Sequence, residues 1–334
     1  MSNILVAGGA GYIGSHTVDT LAESGHNVAV LDNLETGHRE AVHPAARFYR
    51  GDLRDGAFVD SVLEKERVDI VIHFAANSLV GESMANPLKY YDNNLNGTRV
   101  LLNSMVAHGV KKIVFSSTAA TYGEPVRIPI QEDDPTVPTN AYGETKLAME
   151  RMFYWAERAY GLRYVSLRYF NACGAHESGR IGEAHAPETH LIPLILKTAL
   201  GQRERIDIFG DDYPTKDGTC VRDYIHVSDL AQAHILAMGH LLRGGGSDIF
   251  NLGNGVGFTV KEVIDAAERV AGRPIPQAIA PRRAGDPAQL VASSEKARSL
   301  LGWKPQIPGI EEIVASAWKW HSTHPNGFGE SPAS

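Results

Sequence analysis

The sequence has few cysteines, no long apolar run and no excess of positive charge. Its 334 residues include two cysteines, Cys173 and Cys220, too few for a disulfide framework, so we expect a reducing compartment, the cytoplasm. No apolar run reaches the roughly 18 residues that span a bilayer. The net charge of −7 argues against nucleic acid or an anionic membrane as a partner. The first strand-like run starts at Asn3, and from this we expect no secretory leader.

The hydrophobic pattern predicts an α/β fold. Apolar and charged residues make up 43% and 21% of the chain, as in globular proteins. Short continuous apolar runs indicate strands buried on both faces, and amphipathic stretches separate them. The strand-like runs are 4–7, 28–31, 70–74, 113–116 and 164–167, and the helical stretches between them are 12–24, 57–67, 88–108 and 141–160. This alternation predicts a doubly wound parallel sheet, Rossmann-like.

The second half of the chain lacks the regular alternation of strand-like and helical segments. It is rich in loop-forming residues, with further helices predicted over 228–242 and 260–271 and a strand over 249–252. We therefore predict a smaller C-terminal α/β domain interleaved with the last elements of the sheet. The predicted division assigns 1–171 plus about 223–252 to the first domain, and about 172–222 plus 253–334 to the second.

A glycine-rich turn after the first strand predicts a dinucleotide site. Gly8, Gly11 and Gly14 lie where the strand turns into a helix, so the backbone could approach a pyrophosphate at the helix N-terminus. The alternative, a glycine turn that merely packs, is less favoured because Asp32 ends the second strand. A carboxylate there binds ribose hydroxyls and repels a 2′-phosphate, which favours NAD over NADP. Asp52, Phe74 and Ala75 follow later strands and extend the predicted site.

Tyr142 and Lys146 are candidates for proton transfer, with Tyr142 as the base and Lys146 as its cationic partner. They are four residues apart on a predicted helix, hence on one face. A nearby lysine and a positively charged nicotinamide should lower the pKa of the phenol. Thr118, at the end of the fifth strand, could bind the same substrate oxygen. A tyrosine with a lysine four residues on also arises by chance, but the glycine turn and Asp32 make that interpretation the weaker one.

Taken together, these motifs resemble the extended short-chain dehydrogenase/reductase family. Specific strings narrow the resemblance to members that interconvert UDP-galactose and UDP-glucose. The strings are Gly-Gly-Ala-Gly-Tyr-Ile-Gly-Ser-His at 8–16, Leu-Asp-Asn-Leu at 31–34, Tyr-Tyr-Asp-Asn-Asn at 90–94, Arg-Tyr-Phe-Asn at 168–171, Gly-Thr-Cys-Val-Arg-Asp-Tyr-Ile-His-Val at 218–227 and Pro-Arg-Arg-Ala-Gly-Asp at 281–286.

The resemblance implies a role for individual residues. For NAD it implies contacts by the glycine turn and by Tyr12, Ile13, Asp32, Asn33, Asp52, Leu53, Phe74, Ala75, Asn93 and Phe170. It implies that Tyr142 is the base, that Lys146 is its partner and also holds the nicotinamide ribose, and that Thr118 lies beside the substrate. For the UDP-sugar it implies contacts by Tyr169, Asn171, His190, Leu191, Ile208, Phe209, Arg222, Arg283, Asp286 and Leu290. Without the resemblance, a surface ion pair with Asp223 or Asp286 would explain the arginines equally well.

The sequence departs from the family pattern at three positions. Ser78 stands where some members carry a lysine that contacts the cofactor, and His190 stands where an asparagine often touches the nucleotide. Leu290 takes the position whose side-chain size gates N-acetylated sugars, and leucine, neither bulky like tyrosine nor small, leaves the entry of UDP-N-acetylglucosamine open. The resemblance also implies a homodimer built from the helices around 88–108 and 141–160, although packing on the sheet accounts equally for their apolar positions.

The implied reaction is an epimerisation without net redox change. Tyr142 removes the proton of the sugar 4-hydroxyl, hydride passes to NAD and returns to the other face of a 4-keto sugar, and Arg222 and Arg283 hold the diphosphate. A nucleotide-sugar dehydratase is less favoured because Ala119 and Ala120 follow Thr118 where an acid pair is needed. An epimerase of the same family that acts on a neighbouring nucleotide sugar stays an alternative. A non-catalytic NAD-sensing protein would typically lack Tyr142 and Lys146. We predict no metal, because His176, His185, His190, Glu183 and Glu188 show no recognisable ligand spacing.

Overall fold

The computed structural model describes residues 1–283 and 286–329. The strands in chain order are β1 Asn3–Ala7, β2 Asn27–Asp32, β3 Arg47–Arg50, β4 Ile70–His73, β5 Lys112–Thr118, β6 Arg163–Tyr169, β7 Asn171–Cys173, β8 Ile206–Phe209, β9 Val221–Arg222, β10 Tyr224–His226, β11 Asp248–Leu252, β12 Phe258–Thr259, β13 Gln277–Ala280 and β14 Gln289–Leu290. The helices are α1 Tyr12–Glu23, α2 Gly56–Glu66, α3 Val80–Ala85, α4 Pro87–Tyr90, α5 Gly97–Ala107, α6 Ala141–Tyr160, α7 Leu191–Ala199, α8 Val227–Leu242, α9 Val260–Ala271 and α10 Ile310–Thr323.

Seven parallel strands form the main sheet, which confirms the predicted fold class. Their order is β11-β6-β5-β4-β1-β2-β3, and each neighbouring pair is parallel. The order reverses between β1 and β4, so the carboxyl ends of these strands border a crevice where ligands bind in such sheets. The predicted residues at strand ends therefore converge on this edge.

Helices cover both faces of the sheet, as the continuous apolar strands require. Ile4 and Val6 of β1 pack with α1 and α8 on one face. Leu5 and Ala7 pack with α2, α5 and α6 on the other. Successive side chains of the strand alternate between two buried cores, which explains why no polar alternation is visible in the sequence.

The predicted single helix over 88–108 is interrupted. A π-helical turn, Tyr91–Asn96, separates α4 from α5. The side chain of Asn94 accepts a 2.8 Å hydrogen bond from the backbone N–H of Asn77 and donates to Thr145 Oγ1 at 3.0 Å. These tertiary hydrogen bonds stabilise the wider turn locally, a feature that is frequent at functional sites.

A third core lies in the second half of the chain. It joins α7, α9, α10 and β8, and its members include Ile195, Ile264 and Val314. Ala297, Leu301 and Trp303, however, pack in the core of the main sheet with α8. The two-domain division stays a prediction, and these three residues cross its proposed boundary.

No helix within residues 1–283 and 286–329 is long and apolar enough to cross a bilayer.

Candidate active site

A large cavity of about 1330 Å³ opens at the carboxyl ends of the sheet strands. We call it the central cavity. Its lining includes every site residue predicted above except Ile208. Residues that follow five different strands thus meet residues from the second half of the chain in one space. The predicted dinucleotide and nucleotide-sugar sites are therefore continuous.

The glycine turn packs tightly on the sheet and is open toward the cavity. Gly8 has φ +81°, and a Cβ on it would lie 2.4 Å from the backbone nitrogen of Ala75. A Cβ on Gly14 would lie 2.2 Å from the carbonyl oxygen of Gly8. The nearest atom to a Cβ on Gly11 is 3.4 Å away, the same carbonyl oxygen. Because no side chain caps the N-terminus of α1, its N–H groups can bind a pyrophosphate.

Asp32 is held rigidly at the end of β2. Its carboxylate accepts a 3.0 Å hydrogen bond from the N–H of Ala10 and a 2.9 Å hydrogen bond from that of Leu34. Burial raises its pKa, and the two N–H donors oppose this effect. A buried carboxylate with remaining lone pairs suits ribose hydroxyls and would repel an added phosphate.

Asn33 and Asp52 add further hydrogen-bonding groups to the cavity wall that contains Asp32. Asn33 Nδ2 donates to Asp52 Oδ2 at 3.2 Å. Arg54 holds the same carboxylate with Nε at 2.9 Å and NH2 at 2.8 Å, and this hydrogen bonding lowers the pKa of Asp52 to about 2. Asp52 is therefore an ionised acceptor at neutral pH, suited to an amino group of a base.

Helix α6 brings Tyr142 to the strand end that carries Thr118. Asn140 caps the helix by accepting a 2.8 Å hydrogen bond from the N–H of Gly143. A Cβ on Gly143 would lie 2.5 Å from the carbonyl oxygen of Ala120, so only glycine permits this approach. Burial raises the pKa of Tyr142, and hydrogen bonding with the Thr118 side chain opposes the increase. The sequence did not single out Gly143, although the spacing of Tyr142 was clear.

Lys146 lies one turn further along α6 and is buried. Its Nζ donates a 2.8 Å hydrogen bond to the carbonyl oxygen of Ser116 and lies 6.0 Å from the ring centroid of Tyr142. Burial lowers the pKa of Lys146 to about 7, and the charge of Glu150 opposes this effect. We expected the lysine to lower the pKa of Tyr142. Within the described chain, the group that lowers it is Thr118, and burial outweighs that contribution.

Tyr169 is tied to the same strand end, where its hydroxyl hydrogen-bonds with Ser116 Oγ. The next residues turn into the second half: Asn171 Nδ2 donates to the carbonyl oxygen of Asp223 at 3.1 Å, and Phe170 lines the cavity. The proton-transfer groups and the predicted sugar pocket are thus linked through β6 and β7.

Two arginines reach the cavity from the second half. Arg222 NH1 donates to the carbonyl oxygen of Pro287 at 2.9 Å, and its NH2 lies 3.4 Å from Asp286 Oδ1. Asp223 does not pair with it but accepts N–H bonds from Asn254, Gly255 and Ala292, and burial raises its pKa to about 6. The Arg283 guanidinium lies 3.9 Å from the ring centroid of Phe209. Both arginines face the cavity with donors suited to phosphate.

Ile208 is the one predicted site residue that the structure places elsewhere. It is buried in the third core, while its strand neighbours Asp207 and Phe209 line the cavity. Successive side chains of β8 point to opposite faces, which separates Ile208 from Asp207 and Phe209, while Ile206 at the start of the strand belongs to the third core and also reaches the cavity lining. Asp207 was not predicted, although it is the charged residue within the apolar run of 206–209.

The loop before α7 gathers four of the five side chains that we had considered as metal ligands and set aside for lack of a recognisable spacing. Glu183, His185, Glu188 and His190 each offer one atom within 4.8 Å of the others, and all four line the cavity. Burial lowers the pKa of both histidines, but the two carboxylates outweigh it, raising that of His185 to about 9 and that of His190 to about 10. The spacing gave no signal because the loop folds back on itself.

The protein thus has what a dinucleotide requires: a glycine turn in which Gly8 and Gly14 leave no room for a Cβ, a helix N-terminus that no side chain of the described residues caps, and an acid at the ribose position. A Rossmann-type sheet combined with a Tyr-x-x-x-Lys helix defines a class of nicotinamide-dependent enzymes that act on a bound hydroxyl or carbonyl group. Residues 4–253 match the NAD dependent epimerase/dehydratase family. The chain belongs to this family, which confirms the resemblance seen in the sequence.

Similar proteins extend the match over nearly the full chain. The UDP-glucose 4-epimerase of Halalkalibacterium halodurans is 63% identical over 325 residues, 97% of each chain. A crystal structure of a UDP-glucose 4-epimerase is 56% identical, with a TM-score of 0.97 over 98% of this chain and 99% of that one. The UDP-glucose 4-epimerase of Bifidobacterium longum, solved with NAD+ and UDP, is 44% identical, with a TM-score of 0.92 over 97% of this chain and 99% of that one.

Proposed function

We propose that this protein interconverts UDP-galactose and UDP-glucose by epimerisation at C4, with NAD as a retained cofactor. The observation that carries this proposal is the position of Tyr142 and Lys146. They line the central cavity together with the glycine turn, Asp32, Arg222 and Arg283. The glycine turn and Asp32 suit a dinucleotide, and the two arginines suit a nucleoside diphosphate. The names of the most similar proteins support the same substrate pair.

The chain's own groups supply proton transfer and binding. Held by the glycine turn, Asp32 and Asp52, NAD would supply reversible hydride transfer at C4 of the sugar. Tyr142 takes the proton of the 4-hydroxyl and gives it back to the ketone oxygen, while Thr118 positions that oxygen. Burial raises the pKa of Tyr142, and the hydrogen bond with Thr118 opposes this increase; an oxidised nicotinamide, when bound, would add positive charge that favours the phenolate.

Arg222 and Arg283 hold the diphosphate while the keto sugar turns to present its other face. The guanidinium of Arg222 is fixed by Pro287 and Asp286, and that of Arg283 rests on Phe209. Stacked and hydrogen-bonded guanidinium groups lose little freedom on binding phosphate. The sugar itself needs few contacts, because it must rotate between the two hydride transfers.

A 4,6-dehydratase reaction is less favoured, because the two positions after Thr118 carry neither an acid nor a base. The residues that follow Thr118 are Ala119 and Ala120, which begin a short 3₁₀ turn. Their methyl groups cannot transfer the proton needed to eliminate water across C5 and C6.

The decisive experiment adds UDP-galactose to the purified protein without supplied NAD and follows UDP-glucose by chromatography. Conversion would support both the 4-epimerase reaction and cofactor retention. Conversion only after NAD is added would retain the reaction and contradict tight retention. No conversion under either condition, with NAD binding intact, would contradict the proposal and favour a protein that senses NAD.

We also propose a homodimer that forms through α4 and α6. These helices pack together, and they expose large apolar side chains, including Leu88 at 77% and Trp155 at 65%. Light scattering after gel filtration should give twice the chain mass of 36.2 kDa. Trp155→Glu should shift the mass toward the monomer, whereas Val126→Glu, another exposed apolar position, should leave it unchanged. A monomeric wild type would contradict this proposal.

The cytoplasm remains our proposed location, on the ground that Cys173 and Cys220 are both free thiols. The two-domain division likewise remains a proposal. The cores of the main sheet and the third core support it.

A further inference from the structure

Glu183, His185, Glu188 and His190 form a compact cluster in the loop before α7. We call these four residues the His–Glu cluster. His190 Nδ1 lies 2.9 Å from both Glu183 Oε1 and Glu188 Oε1. His185 Nδ1 lies 3.2 Å from Glu183 Oε1 and 3.5 Å from Glu188 Oε2. Two imidazole nitrogens therefore each face both carboxylates.

The carboxylates of the cluster are buried without a permanent cation. The side chains of Glu183 and Glu188 are 4% and 3% exposed. Within residues 1–283 and 286–329, no lysine or arginine nitrogen lies within 4.0 Å of either carboxylate, and the imidazoles are their only close basic groups. Two buried negative charges require compensation, which either protonated histidines or a divalent cation can supply.

The nitrogen-to-oxygen distances of the cluster are close to those of a zinc coordination sphere. Bonds of about 2.0–2.1 Å to nitrogen and oxygen in a tetrahedron place ligand atoms about 3.3 Å apart. The four nitrogen-to-oxygen distances, from 2.9 to 3.5 Å, span this value, and one ligand atom from each residue lies within 4.8 Å of the others. Two imidazoles with two carboxylates suit Zn²⁺, whereas Mg²⁺ and Ca²⁺ prefer oxygen ligands alone. We propose that the His–Glu cluster binds one Zn²⁺ ion, with two neutral imidazoles and two carboxylates balancing its charge.

Neighbouring contacts already orient the cluster. Glu188 Oε1 accepts 2.8 Å hydrogen bonds from the backbone N–H groups of Thr189 and His190, so Oε2 is the freer ligand oxygen. The carbonyl oxygen of Glu183 accepts from Trp320 Nε1 at 3.3 Å. The ring of His185 meets that of Tyr12 edge-on, with 6.1 Å between centroids. An ion here would hold the loop 183–190 in its folded-back form, with the His185 ring in place against Tyr12 at the start of α1.

The site does not depend on the proposed reaction, so its test uses the metal directly. The full-length protein, carrying whatever NAD it retains, is treated with a chelator, dialysed and titrated with Zn²⁺ by calorimetry. We expect one Zn²⁺ per chain, a higher thermal midpoint with Zn²⁺, and no effect of Mg²⁺ at the same concentration. Co²⁺ in place of Zn²⁺ should give the strong visible absorption of a tetrahedral centre.

Variants distinguish this site from other zinc-binding surfaces. His185→Ala and Glu183→Gln should each weaken Zn²⁺ binding by about tenfold or more and abolish the rise in thermal midpoint. His43→Ala changes a histidine in the loop between β2 and β3 and should leave binding unchanged. If the wild-type protein binds no Zn²⁺, or if the cluster variants bind it as tightly as wild type, the proposal is wrong. The cluster would then be a set of histidine–carboxylate ion pairs only.

Discussion

Lys146 Nζ donates a 2.8 Å hydrogen bond to the backbone carbonyl oxygen of Ser116 at the carboxyl end of β5. The same ammonium lies 4.8 Å from the ring centroid of Phe115 and 6.0 Å from that of Tyr142. The strand therefore fixes the lysine directly, without an acidic side chain in contact with it among the described residues. This arrangement keeps the positive charge available to the cavity, at a cost in stability that depends on pH.

Replacement of Lys146 by methionine should stabilise the NAD-free protein at low pH. Burial lowers the lysine pKa from 10.5 to about 7, so between these values the unfolded chain binds more protons than the folded chain. The free energy of unfolding therefore rises with pH across that window. Below about pH 7, Lys146 is charged in both states, and the destabilisation from burying its charge is complete. The thermal midpoint of Lys146→Met should exceed that of wild type by roughly 2 °C or more at pH 6, and the difference should shrink toward pH 10.

The matched control is Lys65→Met in α2, an exposed lysine. Its thermal midpoint should follow wild type at each pH. A stabilisation by Lys146→Met that is equal at pH 6 and pH 10 would show that the buried charge is not its source.

Removal of the Tyr142 hydroxyl should abolish epimerisation and spare the fold. Tyr142→Phe leaves the ring in place but removes the group that takes the substrate proton, which should lower kcat by about 10²–10⁴-fold. The measurement is the initial rate of UDP-glucose formation, together with the thermal midpoint. Tyr160→Phe, at the exposed end of the same helix, is the control. A rate near wild type in Tyr142→Phe would refute the role of this residue.

The variants Gly11→Ala and Gly14→Ala should differ in their effect on stability, although both should lose NAD binding. The Cβ at Gly11 finds only one atom at 3.4 Å and projects at the cavity wall, so Gly11→Ala should lose NAD while keeping the thermal midpoint of the NAD-free protein. The Cβ at Gly14 would lie 2.2 Å from a backbone oxygen. Gly14→Ala should therefore lose NAD and also about 1–3 kcal/mol of stability.

NAD content after purification and thermal unfolding provide the two readouts for this pair. Gly246→Ala serves as control, because a Cβ there meets nothing within 4 Å. Equal thermal midpoints for Gly11→Ala and Gly14→Ala, both free of NAD, would contradict the proposed packing difference.

Asp32→Asn should reduce the preference for NAD over NADP. The carboxylate accepts two backbone N–H bonds, and an amide can accept only with its single oxygen. We expect weaker NAD binding and a loss of about tenfold or more in discrimination, because the repulsion of a 2′-phosphate disappears. Dissociation constants for both cofactors test this, with Asp265→Asn on the exposed side of α9 as control. An unchanged ratio of the two constants would assign cofactor choice to other residues.

Local sequence signals predicted most of the main sheet and the groups at its strand ends, whereas the predicted contacts to the UDP-sugar came from the family resemblance. Helix α6 has the predicted bounds because Asn140 caps its start and Gly161, with φ +68°, ends it. The π-helical turn at Tyr91–Asn96 was not predictable, since the side chain of Asn94 selects it through Thr145, far away in the chain.

The difference between local signals and long-range contacts also separates the predictable from the unpredictable residues of the site. Residues at strand ends were predictable because parallel strands end at one edge. The His–Glu cluster was not, because its loop is shaped by long-range hydrogen bonds, such as that from Trp320 Nε1 to Glu183. Ile208 was assigned by resemblance alone, and the face it occupies on β8 became visible only in the structure.

The side chain of Leu290 should set which sugars enter the cavity. Leu290 belongs to β14, which pairs in parallel with β9 next to Arg222, and it lines the cavity beside the predicted diphosphate site. A smaller residue should make room for an N-acetyl group. We expect Leu290→Ala to raise kcat/KM for UDP-N-acetylglucosamine relative to UDP-glucose by about tenfold or more, since removal of a few carbon atoms is worth about 1–3 kcal/mol. Leu290→Tyr should have the opposite effect.

The control is Val291→Ala, a neighbouring buried residue outside the cavity lining, which should leave the ratio of the two kcat/KM values unchanged. If both Leu290 variants keep the wild-type ratio, sugar size is read elsewhere in the cavity.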